Sequence, residues 1–369
     1  MRPYAKGTIF MSINVGVIGA SFAKAAFLPA LANIPEAEVL AIASARLSSA
    51  QDAAEAFNIP NAYDDWEKML RDHELDLICI ATPTYMHAPM TLAALESGAH
   101  VLCDKPMAMD SGESEKMLGK AQTLGRIHMM DHELRFNPTR QKIKDLLDEG
   151  FVGKVQHVNI TNITPSWGNP ASRPKDDWWS LEDKGGGRLG ANGSHQIDLL
   201  RWWFGDVTSV MGQVKTMVPE RTGKNTGEAW TATADDVSWF SLELQNGALA
   251  NVFMSGVAGH NMGNHTQIFG TEGTILLSND DEVLRIAKRG EDFEDITIKD
   301  PNADLPHVNK GIWNVSVVSL MRELVSAIQE NRPPKQGATF EDGLKCQQVM
   351  DAVRTSSDER RWIDINTDA

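Results

Sequence analysis

The stretch VGVIGASFAKAAFLPAL, residues 15–31, passes without a break from a buried-strand pattern into a helical one. Its strand half is apolar or glycine throughout and so has no face for water, and its helical half begins directly after Gly19. A turn of this kind needs glycine at position 19 and a small residue at 21, where backbone can approach an anion held at a helix N-terminus. Ser21 supplies the small residue, and Phe22 and Ala23 follow it. The pattern is a degenerate G-x-G-x-x-G dinucleotide fingerprint, with Ser21 at the second glycine position and Ala23 or Lys24 at the third. An ordinary strand-to-helix turn has the same outline, so the rest of the chain must decide.

From Ile13 to Met130 the same alternation continues. INVGVIG, EVLAIAS, LDLICIAT, HVLCDK and RIHMMD read as strands, and segments such as SSAQDAAEAF and YMHAPMTLAALESG between them carry i, i+3, i+4 apolar spacing. Repeated strand–helix–strand units imply a parallel sheet with helices on both faces, joined by right-handed crossovers, as in a Rossmann-type domain. After NPTRQKIKDLLDEG (residues 137–150) the pattern changes. KVQHVNITNI, TSVMGQVKTM, DDVSWFSLELQNGALANVFMS, HTQIFGTEGTILLS and EVLRIAK alternate apolar with polar around QNG and TEG turns. That pattern predicts a large, mainly antiparallel, open-faced sheet, closed by the helices VSVVSLMRELVSAIQE and FEDGLKCQQVMDAVRTS. The fold class is α/β: a Rossmann-type parallel-sheet domain at residues 13–135, then an α+β domain at 136–369 whose last helices pack back on the first.

With 369 residues the chain can bury a core without disulfide or metal. Its net charge of −15 argues against nucleic acid or an anionic membrane as the main partner. Cys79, Cys103 and Cys346 form no C-x-x-C pair, and the chain has no apolar run of membrane-spanning length. These features predict a cytoplasmic globular protein without a metal. Residues 1–12 read as a short extension without a signal-peptide centre, within which Met11 offers an alternative start.

The end of the second strand bears on the cofactor. NAD-binding domains commonly place an acid there for the ribose 2′-hydroxyl, whereas AIASARLSS has Ser44 at that point and Arg46 two residues on. A hydroxyl and a guanidinium accept a 2′-phosphate that a carboxylate would repel, so NADP is expected ahead of NAD.

Three further stretches carry a family resemblance: ATPTYMHAPMTLAALESGAHVLCDKP (81–106), DHELRFNP (131–138) and GGGRLGANGSHQIDLLRWWFG (185–205). In this order and spacing the chain resembles the glucose–fructose oxidoreductase / inositol dehydrogenase / rhizopine catabolism (Gfo/Idh/MocA) family of NAD(P)-dependent oxidoreductases, over nearly its whole length. Asp104-Lys105-Pro106 varies mildly from the family's E-K-P. The resemblance implies hydride transfer between nicotinamide and a secondary alcohol or ketone of a sugar or cyclitol-like substrate. It also implies homodimers or homotetramers formed through the second sheet.

Lys105 follows the fourth buried strand, at the sheet edge where ligands of open α/β sheets bind. Partial burial and a cofactor cation are expected to lower its pKa and let it polarise a substrate oxygen, with Pro106 fixing the turn and a candidate for the cis form. Thr82, Pro83 and His87 are expected beside the nicotinamide, and Asp104 beside the cofactor. His195 is expected exposed in the first turn of a helix capped by Asn192 or Ser194, its imidazole kept neutral by the helix dipole and ready to exchange a proton. The family's D-x-G-x-H pattern has Ala191 here in place of the aspartate, and Asp198 is the candidate to orient the histidine instead. Without an adjacent carboxylate, the rate is expected to follow one group titrating at or below about 6.5.

Seven of the ten tryptophans fall between Trp167 and Trp239, around this third stretch, and aromatic faces suit the C–H surface of a sugar ring. Trp167, Trp178 and Trp179, in a Gly/Pro-rich loop, are the better candidates for the substrate, together with Arg135, Asn192, Asp198 and His195, with Asn137 for substrate or cofactor. Ala191 and Ser21 also leave room for a cofactor-bound sensor of the same fold, and for transient oxidation followed by elimination at the next carbon.

Overall fold

A computed structural model describes residues 12–278 and 282–365; Met11 as an alternative start lies outside them. Six parallel strands form the first sheet: β1 (Ile13–Ile18), β2 (Ala37–Ala43), β3 (Asn61–Tyr63), β4 (Leu77–Ile80), β5 (His100–Cys103) and β6 (His128–Met130). They lie in the order β3-β2-β1-β4-β5-β6. The central apolar runs are buried on both faces, which is why they read as unbroken hydrophobic strings. β3 is the strand the sequence did not announce. Its three residues, NAY, pair with Ala41–Ala43 at the sheet edge and carry no apolar run.

Seven helices belong to this first part of the chain: α1 (Ser21–Ala25), α2 (Phe27–Leu31), α3 (Leu47–Phe57), α4 (Trp66–Asp72), α5 (His87–Glu96), α6 (Ser111–Thr123) and α7 (Pro138–Asp148). Their starts follow local chemistry. Asp65 accepts from the Lys68 N–H at the head of α4, Asp110 from the Glu113 N–H at α6, and Asn137 from the Thr139 and Arg140 N–H groups at α7.

The second sheet has nine strands. β7 (Val155–Ile163) is followed by α8 (Ser194–Phe204) and β8 (Val207–Lys215); β9 (Glu220–Thr222) and β10 (Ala229–Thr231) form a separate hairpin. Then come β11 (Val237–Leu244), β12 (Leu249–Ser255), β13 (Gly263–Gly270), β14 (Gly273–Ser278), β15 (Val283–Lys288) and β16 (Glu294–Asp295), with β17 (Ile363–Asp364) at the far edge. The order is β16-β15-β14-β13-β7-β12-β11-β8-β17, antiparallel except for β7 beside β12. Burial alternates along β11 and β12 as the sequence pattern demands. One face lies over α8 and α10 (Phe340–Glu359), while the other presents Leu249 and Phe253 to the outside.

The last helices bridge the two parts. α9 (Ile312–Gln329) packs Val317, Leu320, Met321 and Leu324 into the apolar cluster that includes Val15, Val17 and Phe27. α10 begins with a capping box of Thr339 and Asp342 and contributes Phe340 to the cluster on the other face of the parallel sheet. The junction of the two parts is thus built by elements distant in sequence. No helix among the described residues is long and apolar enough to cross a membrane.

Candidate active site

Gly19 ends β1 with φ of +102°, and a Cβ there would lie 2.0 Å from the carbonyl oxygen of Ala81, so only glycine fits. α1 starts two residues later, and its first N–H groups have no intrahelical acceptor. They open at the carboxyl edge between β1 and β4, where strand order reverses and doubly wound sheets take their ligands. Ser21 is exposed, Ala23 is buried beneath the turn, and Phe22 is half-buried with its ring 5.9 Å from the Lys105 Nζ. A bare backbone turn at this edge fits the pyrophosphate of a dinucleotide. Ser44 ends β2 half-buried, and Arg46 is exposed at the start of α3.

Beyond β4, Thr82 and Pro83 lead into a short turn, with the Thr82 hydroxyl on the Met90 sulfur. His87, expected beside the nicotinamide, is engaged elsewhere. Its Nδ1 lies 2.9 Å from the Pro106 carbonyl and its Nε2 2.9 Å from that of Thr82, so both ring nitrogens are spent in tying the β4 loop to the Asp-Lys-Pro turn. Neither is left for a cofactor.

The Lys105–Pro106 bond is cis. The Asp104 carboxylate accepts the Lys105 N–H at 2.7 Å and stands 3.6 Å from its Nζ, as a counter-ion to lysine rather than a cofactor contact. The ammonium is only 9% exposed and lies 5.9 Å from the ring centres of both Phe22 and Trp179. The expected lowering of its pKa is reversed. Burial pulls it down, but the surrounding carboxyls of Asp104, Glu133 and Asp131 pull it up further, leaving Lys105 a firmly protonated donor. Burial and mutual repulsion in turn push Asp131 and Glu133 well above the usual carboxylate range, because one ammonium cannot hold three buried negative charges.

His195 lies in the first turn of α8, as the sequence indicates, but it is 2% exposed. α8 has no free N-terminus: Leu189–Gly193 form a π-helical turn that runs straight into it. Ser194 donates to the Gly190 carbonyl, and neither it nor Asn192 caps the helix. Burial first, then the charge of Lys105, hold the imidazole neutral by pushing its pKa well below 6.5. Asn192 is half-buried and makes no side-chain hydrogen bond among the described residues, so its amide is available to a ligand.

Asp198 does not orient the histidine. Arg135 donates Nε to one of its oxygens at 2.9 Å and Nη2 to the other at 2.7 Å, while also reaching Asp342 and the Gly337 carbonyl. The substrate roles expected of Arg135 and Asp198 are corrected accordingly, because each spends its polar atoms on the other. Asn137 is likewise the cap of α7. Trp167 lies buried between the guanidinium groups of Arg173 and Arg188, in contact with neither Lys105 nor His195. Trp179, stacked on Trp178 at 4.1 Å, does face Lys105.

Three residues beside His195 escaped the sequence reading. Trp313, in the first turn of α9, places its ring centre 5.0 Å from that of the histidine. His132 packs edge-on at 5.5 Å, and Glu133 brings Oε2 to 3.8 Å from His195 Nδ1. The sequence did offer a signal, since DHE directly follows a buried strand at the ligand edge of the sheet. A recess lined by Arg140, Gln196, Asn264, His265, Glu282 and Trp313 adjoins them. His132, Asp198 and Cys346 also place three potential metal ligands within 4.8 Å of one another. Arg135 already holds Asp198 and Arg201 donates to the Cys346 sulfur, so cations fill that position. A buried ammonium beside a buried neutral imidazole can hold an oxygen and move its proton.

Comparison with known proteins places this geometry. Residues 13–132 match the model of an oxidoreductase family with an NAD-binding Rossmann fold, and residues 140–276 match the GFO/IDH/MocA C-terminal domain. Levoglucosan dehydrogenase of Pseudarthrobacter phenanthrenivorans is 26% identical over 96% of this chain and 98% of its own. Myo-inositol 2-dehydrogenase of Thermotoga maritima is 25% identical over 72% of this chain and 75% of its own. A solved structure of levoglucosan dehydrogenase in complex with NADH and L-sorbose superposes with a TM-score of 0.85 at 25% identity, covering 96% of this chain and 99% of that one. From its glycine turn to its second sheet, the chain belongs to the Gfo/Idh/MocA oxidoreductase family.

Proposed function

We propose that this protein is a nicotinamide-dependent dehydrogenase that transfers hydride between the cofactor and a secondary alcohol, or its ketone, on a sugar or cyclitol-like substrate. The observation that carries the reading is the pairing of a protonated, buried Lys105 with a neutral, buried His195 beside the Gly19 turn. The bound nicotinamide supplies the hydride acceptor or donor; every other part belongs to the chain. Lys105 donates to the reacting oxygen and stabilises the negative charge that develops there. His195 exchanges the oxygen's proton. Trp179 and Trp313 offer faces to the ring, and Asn192 a polar contact. Relatives named for levoglucosan and myo-inositol support the substrate class. Steady-state assay of a panel of anhydrosugars, aldoses and inositols with NAD⁺ and NADP⁺ tests it. Ala191 favours a second reading, a ligand sensor without turnover, which a cofactor-binding protein inactive on the whole panel would support.

NADP(H) is the preferred cofactor in this reading, supported by Ser44 and Arg46 at the end of β2, whereas the NAD-binding family model and the NADH of the levoglucosan dehydrogenase complex support NAD(H). Nicotinamide fluorescence titration should give tighter binding of NADPH than NADH. Ser44→Asp should reverse the order by repelling a 2′-phosphate and accepting from a 2′-hydroxyl. Equal affinities in the native protein would end the NADP preference.

Assembly and location belong to the same reading. The outer face of the second sheet exposes Leu249 and Phe253, with Trp239 in register beside Phe253, a face suited to a second copy. Light scattering at micromolar concentration should give at least 81 kDa, twice the 40.6 kDa of one chain. A monodisperse monomer would count against this interface. Three free, buried cysteines support the cytoplasm as its location.

A further inference from the structure

The reaction requires a proton to reach or leave His195, yet the pocket opposes a charged imidazole. Its ring is buried, Lys105 faces it from the turn after β5, Arg140 acts on it from α7, and His132 packs on its edge. A histidine that stored the substrate's proton would put a second cation against the first. One acid lies in position to relieve this. Glu133, in the turn after β6, brings Oε2 to 3.8 Å from His195 Nδ1, and both residues are 2% exposed. Neither atom has a hydrogen-bond partner among the described residues. Two buried, unpartnered polar atoms about 0.6 Å beyond the ~3.2 Å reach of a hydrogen bond are costly unless each serves the other during function.

We propose that Glu133 is the positioning residue of His195 and the far end of a proton relay from the substrate oxygen through the imidazole. This rests on the dehydrogenase reading above. In alcohol oxidation the substrate O–H bond breaks as the Nε2–H bond forms. At the same time Nδ1–H breaks, and the proton joins Glu133 Oε2. The carbinol C–H electron pair leaves as hydride to the oxidised nicotinamide. The ring takes one proton and gives one up, so no imidazolium accumulates beside Lys105. In ketone reduction each proton runs the other way. Glu133 thereby supplies from the β6 turn the acid that Ala191 does not supply from the α8 approach. The groups facing Glu133 suit it to this task. Burial first, then Asp131, also without side-chain partners, and Asp104 raise its affinity for a proton, and Lys105 lowers it.

The test compares native protein, Glu133→Gln and Glu133→Asp. The first readout is the ¹⁵N resonances of His195 against pH in histidine-labelled full-length protein, without substrate. Glu133→Gln should change the tautomer balance of His195 and its titration, and Glu133→Asp should preserve most of the native behaviour. The second readout is kcat for whichever sugar or cyclitol is turned over. Glu133→Gln should lower it about a hundredfold, with KM and dinucleotide affinity within a few-fold. The acidic limb of the oxidation profile should move to lower pH, because the remaining base is a histidine without a carboxylate neighbour. Glu133→Asp should restore part of the rate. Unchanged His195 resonances in Glu133→Gln overturn the proposal. So does a loss of rate with an unmoved pH limb and no rescue by aspartate, the signature of a packing role. Native protein that turns over nothing on the panel, but whose His195 resonances respond to Glu133→Gln, overturns the dehydrogenase reading and retains the Glu133–His195 coupling.

Discussion

Lys105→Met should lower kcat by about two to four powers of ten while leaving dinucleotide affinity within a few-fold. Methionine keeps the length and most of the volume, so the rings of Phe22 and Trp179 retain a neighbour, and what disappears is the charge. In the proposed reaction that charge stands against the oxygen that gains negative character, and at 9% exposure a fixed donor counts for more than it does in water. The protonated state of Lys105 gives the loss a particular form. A lysine acting as a base would own a limb of the pH profile, and its removal would abolish that limb. A lysine held protonated by Asp104 contributes at every working pH, so the whole profile should fall in parallel. His195→Ala should cost a similar factor, but concentrated at the pH values where the native enzyme depends on a proton acceptor. Steady-state profiles of the two variants, with titrations of the dinucleotide, check both. Native turnover in Lys105→Met would remove the lysine from the chemistry.

The sequence was most legible where function is written in contiguous residues. VGVIGASF specifies its glycine turn because the buried strand, the positive φ and the helix start all fall within eight residues. The longer strands of both sheets could be read for a related reason, since burial on two faces gives apolar strings and burial on one gives alternation, whereas the two-residue edge strands β16 and β17 could not. Short edge strand β3 has neither, and its pairing with β2 alone defines it. The structure buries both Lys105 and His195, and the surroundings expected for them differ from those found. His195 was placed in the correct helical turn but given an exposed N-terminus, because nothing in GGGRLGANG announces a π-helical turn that continues the helix backwards and buries the ring. Arg135 and Asp198 are 63 residues apart and meet only when α8 packs on the turn after β6, so each alone read as a group available to substrate. Trp313 reaches His195 only because α9 returns to the first sheet. Glu133 falls in the same class: its place in DHE at the sheet edge is a signal, but its neighbour His195 arrives from another element.

The Arg135–Asp198 pairing has its own measurable consequence, opposite in kind to that of Lys105. Arg135→Met should destabilise the fold by about 3–5 kcal/mol, the usual cost of leaving a buried charge without its partner. At roughly 2–4 °C per kcal/mol this amounts to a fall of about 10 °C in Tm. Asp198 is 1% exposed at its side chain and has both oxygens on this guanidinium, and Arg135 and Arg201 share Asp342. Removing the cation strands one carboxylate and weakens the hold on a second, across the junction of the β6 turn, α8 and α10. Replacing the pair together, as Arg135→Met with Asp198→Leu, should recover part of the loss, because burying neither charge costs less than burying one. The pH dependence follows from Asp342. Burial would raise its carboxyl pKa, but Arg135 and Arg201 outweigh burial and hold it below the ordinary 3.8. A depressed carboxyl contributes its full stability above 3.8 and loses it as pH falls through the folded value. With Arg135 gone, Arg201 and the Thr339 N–H remain and the largest lowering charge is lost, so acid unfolding should begin at a higher pH in the variant. Thermal melts from pH 3 to pH 7 measure both effects, and the KM of the folded variant at low temperature decides the functional question. A group that ties elements together leaves KM nearly unchanged, whereas a substrate contact would raise it with little change in Tm.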